Sequence, residues 1–302
     1  MVSLSTSAFY DRSLSQMTAQ RVKADDLQRQ ISSQERLARS SDDPVAAARL
    51  RTLNRSERLA ETEQRTSDYA KNDLRMADNA LESAANIVLR AQELTTRAAS
   101  GTLNADQRAA IGQEIIGLRD ALLAVANSRN SAGHALFGGQ STGAAYQDIG
   151  TGIVYIGTGT VDPADLGEGQ SVVPSFTGPD VFAMEVNGAP TDLFAVLGNL
   201  AAALQSGGDA SSASQDALAG LAEGLTKVST AQTVTGARLN WIDMMDNRRE
   251  AAGELVAEEK ATVGGADIAS TMVRLQQAMT VLEASQASFV QLANLSLFNI
   301  LR

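Results

Sequence analysis

The sequence has no cysteine, so no disulfide framework and no cysteine-ligated metal site can be written for it. That absence suits the cytosol, or an exported protein that gains nothing from disulfides. Histidine is almost as scarce. His134 stands alone beside a glycine-rich stretch, with no second histidine to complete a zinc site, and it reads as an ordinary loop residue. Aromatic residues make up only 4% of the chain. Compact enzyme cores lean on Phe, Tyr and Trp, so this poverty favours elongated helical packing built on Ala and Leu. No run of 18 or more apolar residues is available to span a membrane. The opening MVSLSTSAFYDR lacks the basic and unbroken apolar regions of a cleaved signal peptide.

Basic residues are missing from one long stretch. Between Arg129 and Lys227 there is no Lys or Arg, while Asp148, Asp162, Asp165, Glu168, Asp180, Glu185, Asp192, Asp209, Asp216 and Glu223 fall inside it. With a net charge of -10, this argues against a nucleic-acid binder, which needs clustered cations to neutralise phosphates. The acidic middle reads as a solvated, outward segment. Removing about 140–185 is therefore expected to spare the packing of the helical ends.

What the chain does have is helix. Its 302 residues, 44% hydrophobic, suffice for two or three domains. Tyr10, Leu14, Met17, Ala24, Leu27 and Ile31 draw one apolar stripe along a first helix over about 1–37. SSDDP at 40–44 breaks and restarts the chain, with Asp43 placed to cap and Pro44 suited to the first turn of the next helix. From Val45 to Ala99 there is neither Gly nor Pro, which predicts a helix roughly 80 Å long at about 1.5 Å per residue. Gly101 can end it, and Asn104 with Gln107 forms a capping-box pattern for a helix running back to about Asn130.

At Gly133 the composition turns to Gly, Thr, Val and Ile, with strand-like GIVYIG at 152–157 and SVVPSF at 171–176. A short helix over about 192–205 follows, then a Gly207-Gly208 linker and a long helix over about 213–262 that Gly264-Gly265 terminates. In the final segment Ile268, Met272, Leu275, Met279 and Leu282 recur at four and three, which is heptad spacing. After Phe289 there is no charge until Arg302, and so apolar a helix needs burial by neighbours. The expected organisation is an inner N-terminal helix (1–39), a helical rod in two halves (40–132 and 191–264), a small β-rich outer domain (133–190) and a C-terminal helix (265–302).

Catalytic patterns are weak. Asp42 and Asp43 are adjacent acids before a helix-opening Pro, the usual place for caps, and no second acidic cluster faces them. Gly157 with Gly159, and Gly167 with Gly169, complete no phosphate-binding motif and read as turn glycines.

Several segments do resemble a known family. SSDDPVAAARL at 40–50, RAQELTTRAASGTLNADQRAAIGQEI at 90–115, LFGG at 136–139 and the terminal LQQAMTVLEASQASFVQLANLSLFNIL are similar to the hook-filament junction family, hook-associated protein 3, of the flagellin superfamily. Flagellins proper usually continue the first motif differently from Val45-Ala46-Ala47-Ala48. The resemblance is weak between about 140 and 206.

It implies a mainly α fold, an elongated bundle of long antiparallel helices with paired terminal helices and a small β-rich insert. It also implies a structural adaptor with no catalysis, no cofactor and no metal, binding neither nucleic acid nor membrane. The implied partners are further copies of the chain in a ring or filament, hook-associated protein 1, flagellin and a flagellar export chaperone. The implied location is the extracellular flagellum, reached through type III export without a cleaved signal. Leu14, Met17, Leu27, Ile31, Met272, Leu275, Met279, Leu282, Phe289 and Leu292 are the expected assembly contacts. A filament-forming flagellin is the alternative, and a soluble helical chaperone or coiled-coil adaptor is a third reading.

Overall fold

The computed structural model describes the backbone over residues 2–100, 103–206 and 210–300, and the side chains of residue 8 and residues 10–291 within those ranges. Gly101, Gly207 and Gly208, assigned above to a helix end and a linker, lie outside the described residues. Seven helices, α1 (Val2–Ser33), α2 (Pro44–Ala99), α3 (Ala105–Ala126), α4 (Gly178–Phe182), α5 (Leu193–Gln205), α6 (Ser211–Gly264) and α7 (Ile268–Ile300), account for most of the described chain. Three antiparallel two-stranded pieces complete it: β1 (Tyr146–Asp148) with β2 (Ile153–Tyr155), β3 (Ala164–Gly167) with β4 (Gln170–Val172), and β5 (Ala183–Val186) with β6 (Ala189–Asp192). The fold is mainly α with a small β insert. By its contacts the chain forms two compact units, one from Met1–Leu59 and Ala251–Arg302, the other from Ala60–Glu250.

Local chemistry sets the boundaries. α2 opens on Pro44, whose missing N–H costs nothing in a first turn, and Asp43 accepts a hydrogen bond from the Ala46 N–H at 3.0 Å. The box at α3 is reciprocal: the Gln107 N–H donates to Asn104 at 2.8 Å and the Asn104 N–H to Gln107 at 3.0 Å. Asp192 caps α5 through the Ala195 N–H at 2.7 Å. SVVPSF stays in a strand only as far as Val172, since Pro174 has no N–H for a ladder.

In the Ala60–Glu250 unit one large core gathers Leu81, Val88 and Leu94 of α2, Ile115 and Leu122 of α3, Leu197 and Leu200 of α5, and Leu221 and Val228 of α6. Leu136, Phe137, Tyr146, Ile153, Phe176, Phe182 and Met184, all from the stretch between α3 and α5, belong to this same core. The scarce aromatics are concentrated here. Phe137, Tyr146, Tyr155, Phe182 and Phe194 meet edge-on or tilted, with ring centroids 4.9 to 5.9 Å apart.

Asn127, just after α3, fixes the strand entry. Its amide accepts from the N–H groups of Ala145 and Tyr146, each at 2.9 Å, and donates to the Tyr146 carbonyl at 3.0 Å. Burial pushes the Tyr146 hydroxyl far above its ordinary pKa, with the Asp192 charge adding to the effect, so it stays neutral. The acidic stretch therefore contributes apolar side chains to the helical core, although its surface charge is all negative.

Candidate assembly interface

The unit built from the two ends of the chain is centred on α1 and α7, which lie side by side. Their apolar stripes meet in a narrow seam: Leu27 and Ala24 are buried against Ala278, with Leu275 half-buried beside them. Further along, Phe289 is half-buried and its ring meets that of Tyr10 edge-on at 5.3 Å. Met17, Ile31 and Leu282 are also half-buried. Each large side chain buried in such a seam is worth about 1.5–3 kcal/mol before ordering costs.

The expected contact residues thus divide into two sets. Leu27, Leu275, Phe289, Met17, Ile31 and Leu282 are covered wholly or partly within the chain, while Leu14, Met272 and Met279 stand exposed. The side chain of Leu292 lies outside the described residues. Exposed apolar residues absent from the expected set join the open face: Val22 on α1, and Val273, Val281 and Val290 on α7. Val273 and Val281 border a shallow groove of about 370 Å³ with Gln276, Gln277 and Thr280. They sit off the heptad stripe, so a search for one helical face passes over them. The signal that finds them is their β-branched apolar type on otherwise polar turns.

The SSDDP motif anchors this unit. Gln34, at φ 59°, takes the left-handed conformation that ends α1. The turn after it is stitched to the turn between α6 and α7: the Arg36 N–H donates to the Gly264 carbonyl at 2.7 Å and the Ala266 N–H to the Gln34 carbonyl at 2.9 Å. The Arg36 guanidinium donates to the Val263 carbonyl at 3.0 Å and to Asp43 at 3.2 Å. The Ala46 N–H, helped by Arg36, holds the Asp43 carboxyl below the usual carboxylate range. Asp42 accepts from the Arg39 N–H at 2.8 Å. Asp43 is therefore occupied as a cap of α2, and Asp42 in the turn that precedes it. Arg49 with Glu259, and Lys260 with Glu57 at 2.6 Å, tie α2 to α6 in the same unit. The Ser270 N–H foremost lowers the Asp267 carboxyl, as expected of a carboxylate capping α7.

The other unit holds an ionic cluster that sequence reading did not find. Asp246 accepts from the Ser67 hydroxyl at 2.6 Å, Lys71 at 3.0 Å and Arg249 at 2.8 Å. Arg249 also donates to the Leu166 carbonyl of β3 at 2.7 Å and to Gln64 at 2.8 Å, which pins the β3–β4 hairpin to α2 and α6. At the hairpin turn Gly167 has φ 91°, and a Cβ there would strike the Glu63 carboxyl. Gly167 and Gly169 are turn glycines. His134 is exposed, in a loop where its N–H donates to Asn130 at 2.9 Å. Among the described residues no group of three His, Cys, Asp or Glu side chains could hold a metal ion, and no helix is long and apolar enough to cross a membrane.

Comparison with known proteins places these features. Residues 4–142 match the bacterial flagellin N-terminal helical region. The flagellar hook-associated protein 3 of Escherichia coli (strain K12) is 26% identical over 313 residues, spanning 98% of this chain and 98% of its own. Polar flagellin E of Vibrio parahaemolyticus is 33% identical over 142 residues, but these span only 46% of this chain and 37% of the flagellin. Among solved structures, a flagellar hook-associated protein from Vibrio parahaemolyticus shares the fold with a TM-score of 0.69 at 21% identity, covering 74% of this chain and all of that one.

Proposed function

We propose that the chain is a member of the hook-associated protein 3 family of the flagellin superfamily and a structural adaptor seated between the hook and the flagellin filament. The reading is carried by one observation: hook-associated protein 3 matches over 98% of both chains, whereas the flagellin match spans 46% of this chain and 37% of the flagellin. The mechanism is packing, without a chemical step. The α1–α7 seam supplies a preformed pair of helices, and the open residues Leu14, Val22, Met272, Met279 and Val290 are apolar surface that further copies of the chain cover. The covered set, Leu27, Leu275 and Phe289 above all, holds the pair in register.

Hook-associated protein 1 is the partner on the hook side and flagellin the partner on the filament side. An export chaperone shields the terminal apolar segments before secretion, and export through the type III apparatus needs no cleaved leader. The test is deletion of the gene. Cells should retain hooks, carry no attached filaments and release flagellin into the medium. Filaments of normal length on the deletion strain would overturn the adaptor reading.

A further inference from the structure

In a chain without cysteine, the methionine thioether is the side chain most open to reversible two-electron oxidation. The eight methionines differ sharply in access. Met184 and Met245 are 5% exposed, and Met76 packs against the main core. Met272 is 59% exposed, Met279 49% and Met244 51%. Met272 and Met279 are seven residues apart on α7, so they project within about 20° of one another around the helix at about 100° per residue. Val290, also exposed, returns to the same line. The two sulfurs therefore stand on one open apolar stripe. Met244 lies on α6 in the other unit and serves as an internal control.

We propose that Met272 and Met279 form a modification site through which an oxidant of the peroxide class disables the subunit before it is incorporated. A sulfur lone pair attacks one peroxide oxygen, the O–O bond breaks and an S–O bond forms. The sulfur is oxidised to the sulfoxide, and the second oxygen leaves as water after taking up the proton. Each thioether thereby becomes a strong hydrogen-bond acceptor. Pressed against an apolar neighbour, that acceptor loses its water and gains no donor, which opposes burial. Incorporation covers the same sulfurs, so an assembled subunit is protected and a free one is vulnerable. Methionine sulfoxide reductases, one for each epimer, reverse the change.

The proposal rests on the reading of the open α7 stripe as an assembly face, and its test separates the two. The purified full-length chain is treated with hydrogen peroxide, the oxidised positions are mapped by peptide mass spectrometry, and binding to hooks sheared from the deletion strain is measured by co-sedimentation. Met272, Met279 and Met244 should oxidise ahead of Met184 and Met245. Hook-bound protein should fall at least tenfold and recover after treatment with both reductases. M272L/M279L should bind equally before and after peroxide, while M244L should stay as sensitive as the unaltered chain. Binding of the oxidised chain within twofold of the untreated one overturns the proposal, as does equal loss in M272L/M279L. If leucine itself weakens binding, the reductase arm decides, and absence of recovery overturns it. Failure of the untreated chain to bind hooks at all overturns the assembly reading instead.

Discussion

Replacing Asp246 by Asn removes one charge from the cluster that pins the β3–β4 hairpin while keeping the side chain's shape. The Asp246, Arg249 and Lys71 side chains are 16%, 10% and 18% exposed, so the cluster is nearly dry. Breaking a fully buried ion pair from one side costs about 3–5 kcal/mol, because the surviving charge is left uncompensated. Here the loss is cushioned. Lys71 keeps Asp243 at 2.6 Å, and Arg249 keeps the Leu166 carbonyl and has Glu63 at 3.8 Å. About 2 kcal/mol is therefore expected, and at about 2–4 °C per kcal/mol for a unit of this size the melting temperature should fall by about 4–8 °C.

Circular dichroism melts of D246N and of D243N decide the matter, since Asp243 is 57% exposed and its loss should cost less than about 1 kcal/mol. The gap should also depend on pH. Burial raises the Asp246 pKa, but hydrogen bonds from Ser67, Lys71 and Arg249 outweigh it, so the folded value lies below the ordinary one. A lowered carboxylate pKa stabilises the fold above the unfolded value and ceases to do so as pH falls through the folded one. The difference between the unaltered chain and D246N should be full at neutral pH and close below about pH 4. A melting temperature for D246N within 1 °C of the unaltered chain at pH 7 would refute the reasoning.

Two further substitutions probe the packing. Gly224→Ala on α6 would set a Cβ 2.3 Å from the buried Leu193 side chain, so urea denaturation should show a loss of about 1–3 kcal/mol. Gly236→Ala on the same helix meets nothing within 4 Å and should be neutral or stabilising by up to about 1 kcal/mol; equal effects at both sites would contradict the close α5–α6 approach. Removing 140–185 takes Tyr146, Phe176, Phe182 and Met184 out of the main core, so the shortened chain should lose its cooperative melt and become protease-sensitive. An unchanged melt would restore the segment to an independent outward role.

The long helices were legible because composition and caps agreed. Val45 to Ala99 predicts α2, found at Pro44–Ala99, and Asn104 with Gln107 announces α3. α6 runs from Ser211 to Gly264 in spite of Gly220 and Gly224, because those glycines admit Val196 and Leu193 of α5 and tertiary packing outweighs propensity. The hairpin of β5 and β6 falls in the stretch expected to be a small β-rich domain, but its strands were not singled out, although Asn187-Gly188, with φ 53° and 75°, is a strong two-residue turn signal.

The acidic insert misled for a plain reason: a charge inventory reports what faces water and says nothing of Phe137, Tyr146 and Phe182 beneath it. At the interface, periodicity marked the stripes of α1 and α7. It could not tell the residues that meet within the chain, such as Leu27 and Leu275, from those left open, such as Met272 and Met279. The Asp246 cluster joins residues that lie 175 or more positions apart on α2 and α6, a proximity that only the fold creates.

The most direct test of the adaptor reading is where the protein sits on the organelle. Flagella are sheared, incubated with antibody to the purified chain and gold-labelled for electron microscopy, with length along the filament as the readout. A subunit that fills a ring and then stops should give one compact band of gold at the boundary between hook and filament and none beyond it. Continuous decoration along the filament would contradict the account and make the chain a filament subunit.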